Sequence, residues 1–291
     1  MKTLELADAC ICCGGADLAA SPAVLMPFVA ARALGQAPLE VTADWGLRDL
    51  RPGMAYTLCH SLQCRGCGAL FLDLRFTPAQ MAALYHNYRD AEYTRQREHF
   101  EPGYAATVAR DYTQRHAYVA EVEAWLRPRL PQRAPLRVLD WGGGDGANTP
   151  FLGHARVEVH DISGCALVPG ARRADLNGPR HDDVLVCMQV LEHVADPLAL
   201  LQDIAAHMGH QTLLYLEVPH EALVREHAPG ANLAPLKRHW HEHVNFFTEA
   251  SVRRLAARCG LHVRDALFLP FDHGARQGAV MGLLLSKEAS A

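Results

Sequence analysis

Two pairs of cysteines stand at metal-binding spacing. Cys10 and Cys13 flank Ile11-Cys12, Cys64 and Cys67 flank Arg65-Gly66, and a glycine follows each pair. A C-x2-C turn brings two thiolates onto one ion. Two such turns, separated by 50 residues, predict a closed tetrahedral four-cysteine site with zinc as the expected ion, although iron uses the same ligands. Cysteine at every position leaves no place for a substrate, so the expected role is structural. Cys12 is ambiguous, but only Cys10 with Cys13 matches the second pair. The competing readings are four unrelated cysteines or a redox dithiol, and neither pair follows the strand-then-helix pattern of redox sites.

The second landmark is LRVLDWGGGDG, Leu136 to Gly146, with Asp140, Gly142, Gly144 and Gly146 spaced D-x-G-x-G-x-G. A strand ending in so bare a turn suits backbone that passes close to a nucleotide. Asp161 ends the next apolar strand, 17 residues beyond Gly144, where a carboxylate accepts bonds from both ribose hydroxyls of an adenosine. The lysine and Ser/Thr of a phosphate-binding P-loop are absent. A Rossmann dehydrogenase shares the glycine spacing.

Histidines form the third group, in Lys237-Arg238-His239-Trp240-His241-Glu242-His243. Imidazole accepts a proton near neutrality, and an adjacent carboxylate fixes its tautomer. His243 is the first candidate for a general base, with His241 and His239 as rivals. Asn245 stands where an H-E-x-x-H protease would need histidine. A metal on His239, His241 and His243, or a purely structural role, are the alternatives. His193, next to Glu192, either reaches a substrate or packs on a helix, and His220 and Glu221 follow a strand end that can line an acceptor pocket.

These groups need a scaffold in three parts. Residues 1–75 read as the cysteine module, with strands running into and out of the second pair. Residues 76–135 read as a helical connection. Thr77 caps a helix with Pro78 in its first turn, Tyr85, Tyr88 and Tyr93 follow, and Ala105, Val108, Tyr112, Val119, Val122 and Leu126 predict an amphipathic helix over 104–126, stopped by Pro128 and Pro131. Residues 136–291 alternate: strand, glycine turn, helix, strand to Asp161, strand 182–187, loop or short helix 188–194, helix capped by Asp196, strand 212–218, helix from Thr248 to Gly260, and two final strands. That alternation predicts an α/β sheet with helices on both faces.

Composition narrows the classes. The chain has 291 residues, 49% hydrophobic, with 28 basic and 32 acidic side chains and a formal charge of -4. It can bury a full core, and no basic run favours nucleic acid. The expectation is a cytoplasmic protein, from paired cysteines, an odd total of nine, no signal-like start and no membrane-spanning run.

LDWGGGDG, HDISG, DDVLVCMQVLEHVADPLALL and HEHVNFFTEASVRRLAARCGL, in that order, resemble the class I S-adenosylmethionine-dependent methyltransferases. The cysteine pairs and LFLDLRFTPAQMAALYHNY resemble the zinc module that precedes this domain in deoxysugar C-methyltransferases, so the likeness spans roughly residues 8–285. It implies a Rossmann-like, seven-stranded, mostly parallel sheet. It implies Asp140 and Gly142–Gly146 beside the methionine part of S-adenosylmethionine, Asp161 on the ribose, Asp175 with Leu176 near the adenine, and Met188 and Gln189 at the sulfonium. Over the transferable methyl it implies the Glu242-His243 pair and a tyrosine from the Tyr85/Tyr88 segment. The implied acceptor is a sugar or nucleotide-sugar, and the implied assembly a monomer or homodimer. Trp141 and Gly143 in the loop, Ile162-Ser163 after Asp161, and an end at Ala291 without a further domain depart from that pattern. An O- or N-methyltransferase for a peptide or other non-sugar acceptor is therefore the alternative. An NAD-dependent oxidoreductase and a zinc-containing binding module on a degenerate enzyme fold are readings of other classes.

Overall fold

A computed structural model describes residues 5–46, 51–111, 115–178, 180–273 and 276–288. The N-terminal part comprises β1 (Glu5–Leu6), β2 (Leu18–Leu25), a short helix α1 (Pro27–Val29) continued as a π-turn, the hairpin β3 (Leu39–Val41) and β4 (Gly53–Ala55), then β5 (Thr57–Cys64), β6 (Leu70–Leu72) and β7 (Leu74–Arg75). Four helices follow: α2 (Pro78–Tyr85), α3 (Ala91–Phe100), α4 (Tyr104–Asp111) and α5 (Tyr118–Leu126). The rest alternates as β8 (Leu136–Trp141), β9 (Ala155–His160), β10 (Ala171–Arg173), β11 (Val184–Met188), α6 (Pro197–His207), β12 (Leu213–Pro219), α7 (Ala222–Arg225), β13 (His239–Trp240), β14 (Asn245–Phe246), α8 (Glu249–Arg258), β15 (His262–His273) and β16 (Arg276–Ser286).

Seven strands form the main sheet, in the order β10-β9-β8-β11-β12-β16-β15. All adjacent pairs are parallel except those made by β16, which runs against both neighbours. Alternation along each strand explains the layers. Leu139, Trp141, Leu185, Cys187, Leu216 and Leu283 face a core shared with α6 and α8, while Val138, Val157, Val184, Val186 and Tyr215 face α5 through Val119, Val122 and Leu126. This is the doubly covered, mostly parallel sheet expected. No helix among the described residues is long and apolar enough to cross a membrane.

Five strands form a second sheet, β13-β2-β5-β6-β14. Its two edge strands come from residues 239–246, so the histidine-rich segment is stitched to the cysteine-bearing sheet. Arg75, half-buried, ties it to the loop after β11: it donates to the carbonyls of Leu72, Val194 and Ala195 and to Asn245 Oδ1.

Two expectations need correction. The amphipathic stretch 104–126 is two helices. Tyr112 lies outside the described residues, and Arg115 and His116 leave helical geometry so that Arg115 reaches the carbonyls of Ala147 and Thr149 and the His116 N–H reaches Asn148. The glycine turn leads into successive turns instead of a regular helix. Pro150 has no N–H to give, and Phe151 (φ +64°) and Gly153 (φ +85°) adopt left-handed backbone that ends any helix. The caps at Thr77, Asp196 and Thr248 form as predicted.

Candidate active site and cysteine centre

The glycine turn is fixed by what its neighbours leave no room for. A Cβ on Gly143 would stand 2.1 Å from Asp140 Oδ2, and one on Gly142 (φ +82°) 2.5 Å from Val190 Cγ2. Asp140 is folded beneath the turn, where the Thr149 hydroxyl donates to it at 2.5 Å. Burial, with the Asp161 charge adding to it, pushes its carboxyl up to about 7 despite that bond. Asp161 accepts from the N–H groups of Gly144 (2.8 Å) and Ser163 (2.7 Å). Asp161 and the turn thus stand together at the carboxyl ends of β8 and β9. Asp175 is exposed beyond β10 and accepts from the Asn177 backbone and side chain, which hold its carboxyl below the usual range. Met188 ends β11. Gln189 (φ +57°) donates its side-chain amide to buried Glu217 at 2.9 Å.

Residues 190–194 carry the line from the turn to the histidines. Tyr85, at the end of α2, places its hydroxyl 2.8 Å from His193 Nδ1, which also lies 3.2 Å from the Glu242 carbonyl. The rings of His193 and His243 meet edge to face at 4.7 Å. His243 Nδ1 stands 2.8 Å from Glu221. Burial alone would lower the His243 pKa, but the bond to Glu221 and the Glu192 charge reverse this and raise it. His193 is held well below its ordinary value by burial, then by His243. Glu192 is 1% exposed and neither carboxylate oxygen has a partner; burial pushes its carboxyl up to about 8.

The sequence-predicted residues divide accordingly. His193 and His243 come together. Glu242 points elsewhere, pairing with buried Arg97, which Glu101 also holds; the carboxylate on His243 is that of Glu221. Tyr85 meets the histidines, whereas Tyr88 packs one layer back, between Tyr85 (5.3 Å) and Tyr93 (5.2 Å). His241 lies near Glu101 at 3.5 Å, and His239 is exposed on β13. The alternate-residue trio of His239, His241 and His243 does not converge. Sequence reasoning missed Arg75 and Arg97, for which no local pattern gives a signal, and passed over Glu192, whose adjacency to His193 was the available one.

The four predicted cysteines do converge. The sulfurs of Cys10 and Cys67, and those of Cys13 and Cys64, stand 3.5 Å apart, and all four lie within 4.8 Å of one another. Both turns fold back through the backbone, Gly14 N–H to Cys10 O and Gly68 N–H to Cys64 O. This donor set and spacing fit a tetrahedral ion such as zinc. All nine cysteines are free of disulfides.

A family model described as a methyltransferase domain matches residues 110–266. Among solved structures, the chain is similar to magnesium protoporphyrin IX methyltransferase from Synechocystis with bound SAH, at 17% identity over 65% of this chain and 97% of that one, with a TM-score of 0.40. It is also similar to a SAM-dependent methyltransferase from Leishmania major, at 13% identity over 57% of this chain and 71% of that one, with a TM-score of 0.40. No curated protein matches it.

Proposed function

We propose, for a chain that belongs to the methyltransferase-domain family, that it uses S-adenosylmethionine to methylate a sugar-derived small molecule. The single observation behind this reading is a glycine turn and a histidine chamber joined by one short loop at the carboxyl ends of the strands, where open α/β sheets hold their ligands. Asp161 is the ribose ligand, and Asp140 with Gly142, Gly144 and Gly146 shapes the backbone beside the methionine part. Asp175 lies toward the adenine, and Met188 and Gln189 border the sulfonium. When bound, the cofactor supplies an electrophilic methyl; the protein's task is to align the acceptor behind it and remove a proton. His243 is the base. Glu221 accepts a hydrogen bond from Nδ1–H, which leaves the Nε2 lone pair for the acceptor's proton. Tyr85 and His193 orient the acceptor from the other side. Glu242, His241 and Tyr88 support the chamber, Glu242 through Arg97. A sugar or nucleotide-sugar suits a chamber of imidazole, phenol and carboxylate groups, and either a hydroxyl or a carbon beside a carbonyl provides the acidic proton. The division into a zinc-held module (1–75), a connection (76–135) and a catalytic domain (136–291) belongs to the same proposal, as does a reducing compartment. Zinc at Cys10, Cys13, Cys64 and Cys67 is structural.

Calorimetry with S-adenosylmethionine and S-adenosylhomocysteine tests the cofactor, and a mass-spectrometric screen of nucleotide-sugars tests the acceptor. Binding together with a gain of one methyl supports the reading; absence of cofactor binding ends it. His243→Gln is expected to lower kcat by about a hundredfold or more with cofactor affinity unchanged, and full turnover by that variant would remove His243 as the base.

A further inference from the structure

Glu192, His193 and His243 form a cluster that the transfer reaction as described does not fully use. One ligand atom from each lies within 4.8 Å of the others, and His193 Nε2 is 3.7 Å from Glu192 Oε1. His243 Nδ1 faces a carboxylate acceptor, Glu221, so that nitrogen carries the hydrogen. His193 Nδ1 lies between the Tyr85 hydroxyl (2.8 Å) and the Glu242 carbonyl (3.2 Å), and both oxygens can accept its hydrogen. With the hydrogens on Nδ1, each ring has a bare Nε2, and beside them is a buried carboxylate whose two oxygens have no hydrogen-bond partner. In that tautomer the three residues can each offer one lone-pair atom to a common point, their ligand atoms lying within 4.8 Å of one another. A buried polar group without a partner is costly, and one cation would satisfy all three at once.

Two imidazoles and a carboxylate are the donor set of divalent first-row ions. The outer contacts match as well. A metal-binding histidine ordinarily gives its other ring N–H to a carboxylate or a backbone carbonyl, and here His243 and His193 do one each. Ligands on one zinc or cobalt ion stand about 3 to 3.5 Å apart, given bonds of about 2.0–2.1 Å, so small side-chain rotations close the set.

We propose that Glu192, His193 and His243 constitute a second metal site, for a divalent ion such as zinc or cobalt, and that filling it inhibits methyl transfer. The inhibition rests on the reading of His243 as base: its Nε2 lone pair cannot hold an ion and accept a proton together. The ion and acceptor deprotonation are then mutually exclusive uses of one nitrogen.

The test is a Co2+ titration of the full chain, with its cysteine site already filled with zinc. It is read by elemental analysis, by visible d–d absorption and, separately, by turnover. A second ion per chain is expected, with turnover lost at the same midpoint. Glu192→Gln and His193→Gln should each return the stoichiometry to one while keeping the zinc, and Glu221→Gln should weaken the second site by about 10- to 100-fold. Circular dichroism checks that each variant is folded. Saturation at one ion in the wild type, or retention of the second ion by both Glu192→Gln and His193→Gln, overturns the site. A second ion that raises turnover overturns the inhibition and removes His243 as base. The stoichiometry does not depend on S-adenosylmethionine, so failure of the cofactor to bind would overturn the proposed function and leave the metal count standing.

Discussion

A methyl group at Gly143 would fall 2.1 Å from the Asp140 carboxylate, a carboxylate fixed in turn by Thr149. Gly143→Ala must move one or the other, and is expected to cost about 1–3 kcal/mol in urea or thermal unfolding. Asp140 itself carries a pH signature. Its folded pKa, about 7, lies above the unfolded value of roughly 3.9. Folding therefore favours its protonated form, and that contribution is full below about pH 4, declines as pH rises to about 7, and is level above. Asp140→Asn keeps an acceptor for Thr149 and has no charge to bury. Unfolding free energies from urea denaturation between pH 4 and 8 should show the variant gaining on the wild type as pH rises, by up to about 4 kcal/mol at pH 8. At this scale the sequence was informative wherever spacing alone constrains geometry. The cysteines meet because C-x2-C turns are local, and the glycine turn forms because bare backbone is the only kind that fits over Asp140. It was misleading for His243, whose carboxylate is Glu221, 22 residues away, and not its neighbour Glu242. The pair sits at a bend between β13 and β14, where the Glu242 side chain leaves toward Arg97 and that of His243 toward Glu221.

Caps connect the elements to the sites. Thr248 accepts the Ser251 N–H that opens α8 and gives its own hydroxyl hydrogen to the Cys67 carbonyl at 2.7 Å. One side chain thus starts a helix and secures a cysteine turn. Thr248→Ala should cost about 1–2 kcal/mol, more than Thr77→Ala, whose hydroxyl serves a cap alone; parallel thermal melts of the two variants make the comparison. Helix starts were legible because cap chemistry is confined to four residues. Three features were not. β10 reads only as Ala171-Arg172-Arg173, an exposed edge with no apolar alternation. The helix expected after the glycine turn is prevented by Pro150 and by left-handed backbone at Phe151. The long stretch 104–126 breaks where its apolar spacing lapses between Tyr112 and Val119, because Arg115 and His116 serve the glycine turn instead.

At the scale of the molecule, one core joins the cysteines to the main sheet: Cys10, Cys12, Cys64 and Cys67 pack in the same cluster as Trp141, Leu191, Phe247 and Val252. Cys64→Ser, prepared with chelator, is expected to lose its zinc by elemental analysis. Because of the shared core, it should lower the melting temperature of the whole chain in one transition; two separate transitions would show instead that the cysteine sheet unfolds on its own. The α/β order was readable from alternation, but the second sheet was not, because its edges arrive from far along the chain. β13 pairs with β2, and β14 with β6. That pairing sets a timetable for synthesis. At about 5–20 residues per second, the ribosome needs roughly ten to forty seconds after releasing Cys67 before Phe246 exists to finish the sheet's edge. Through that interval β2 and β6 have open edges and the cysteine turns lack the helix that braces them. A nascent chain therefore carries two open strand edges until that late segment emerges, while both cysteine turns are already made and can meet.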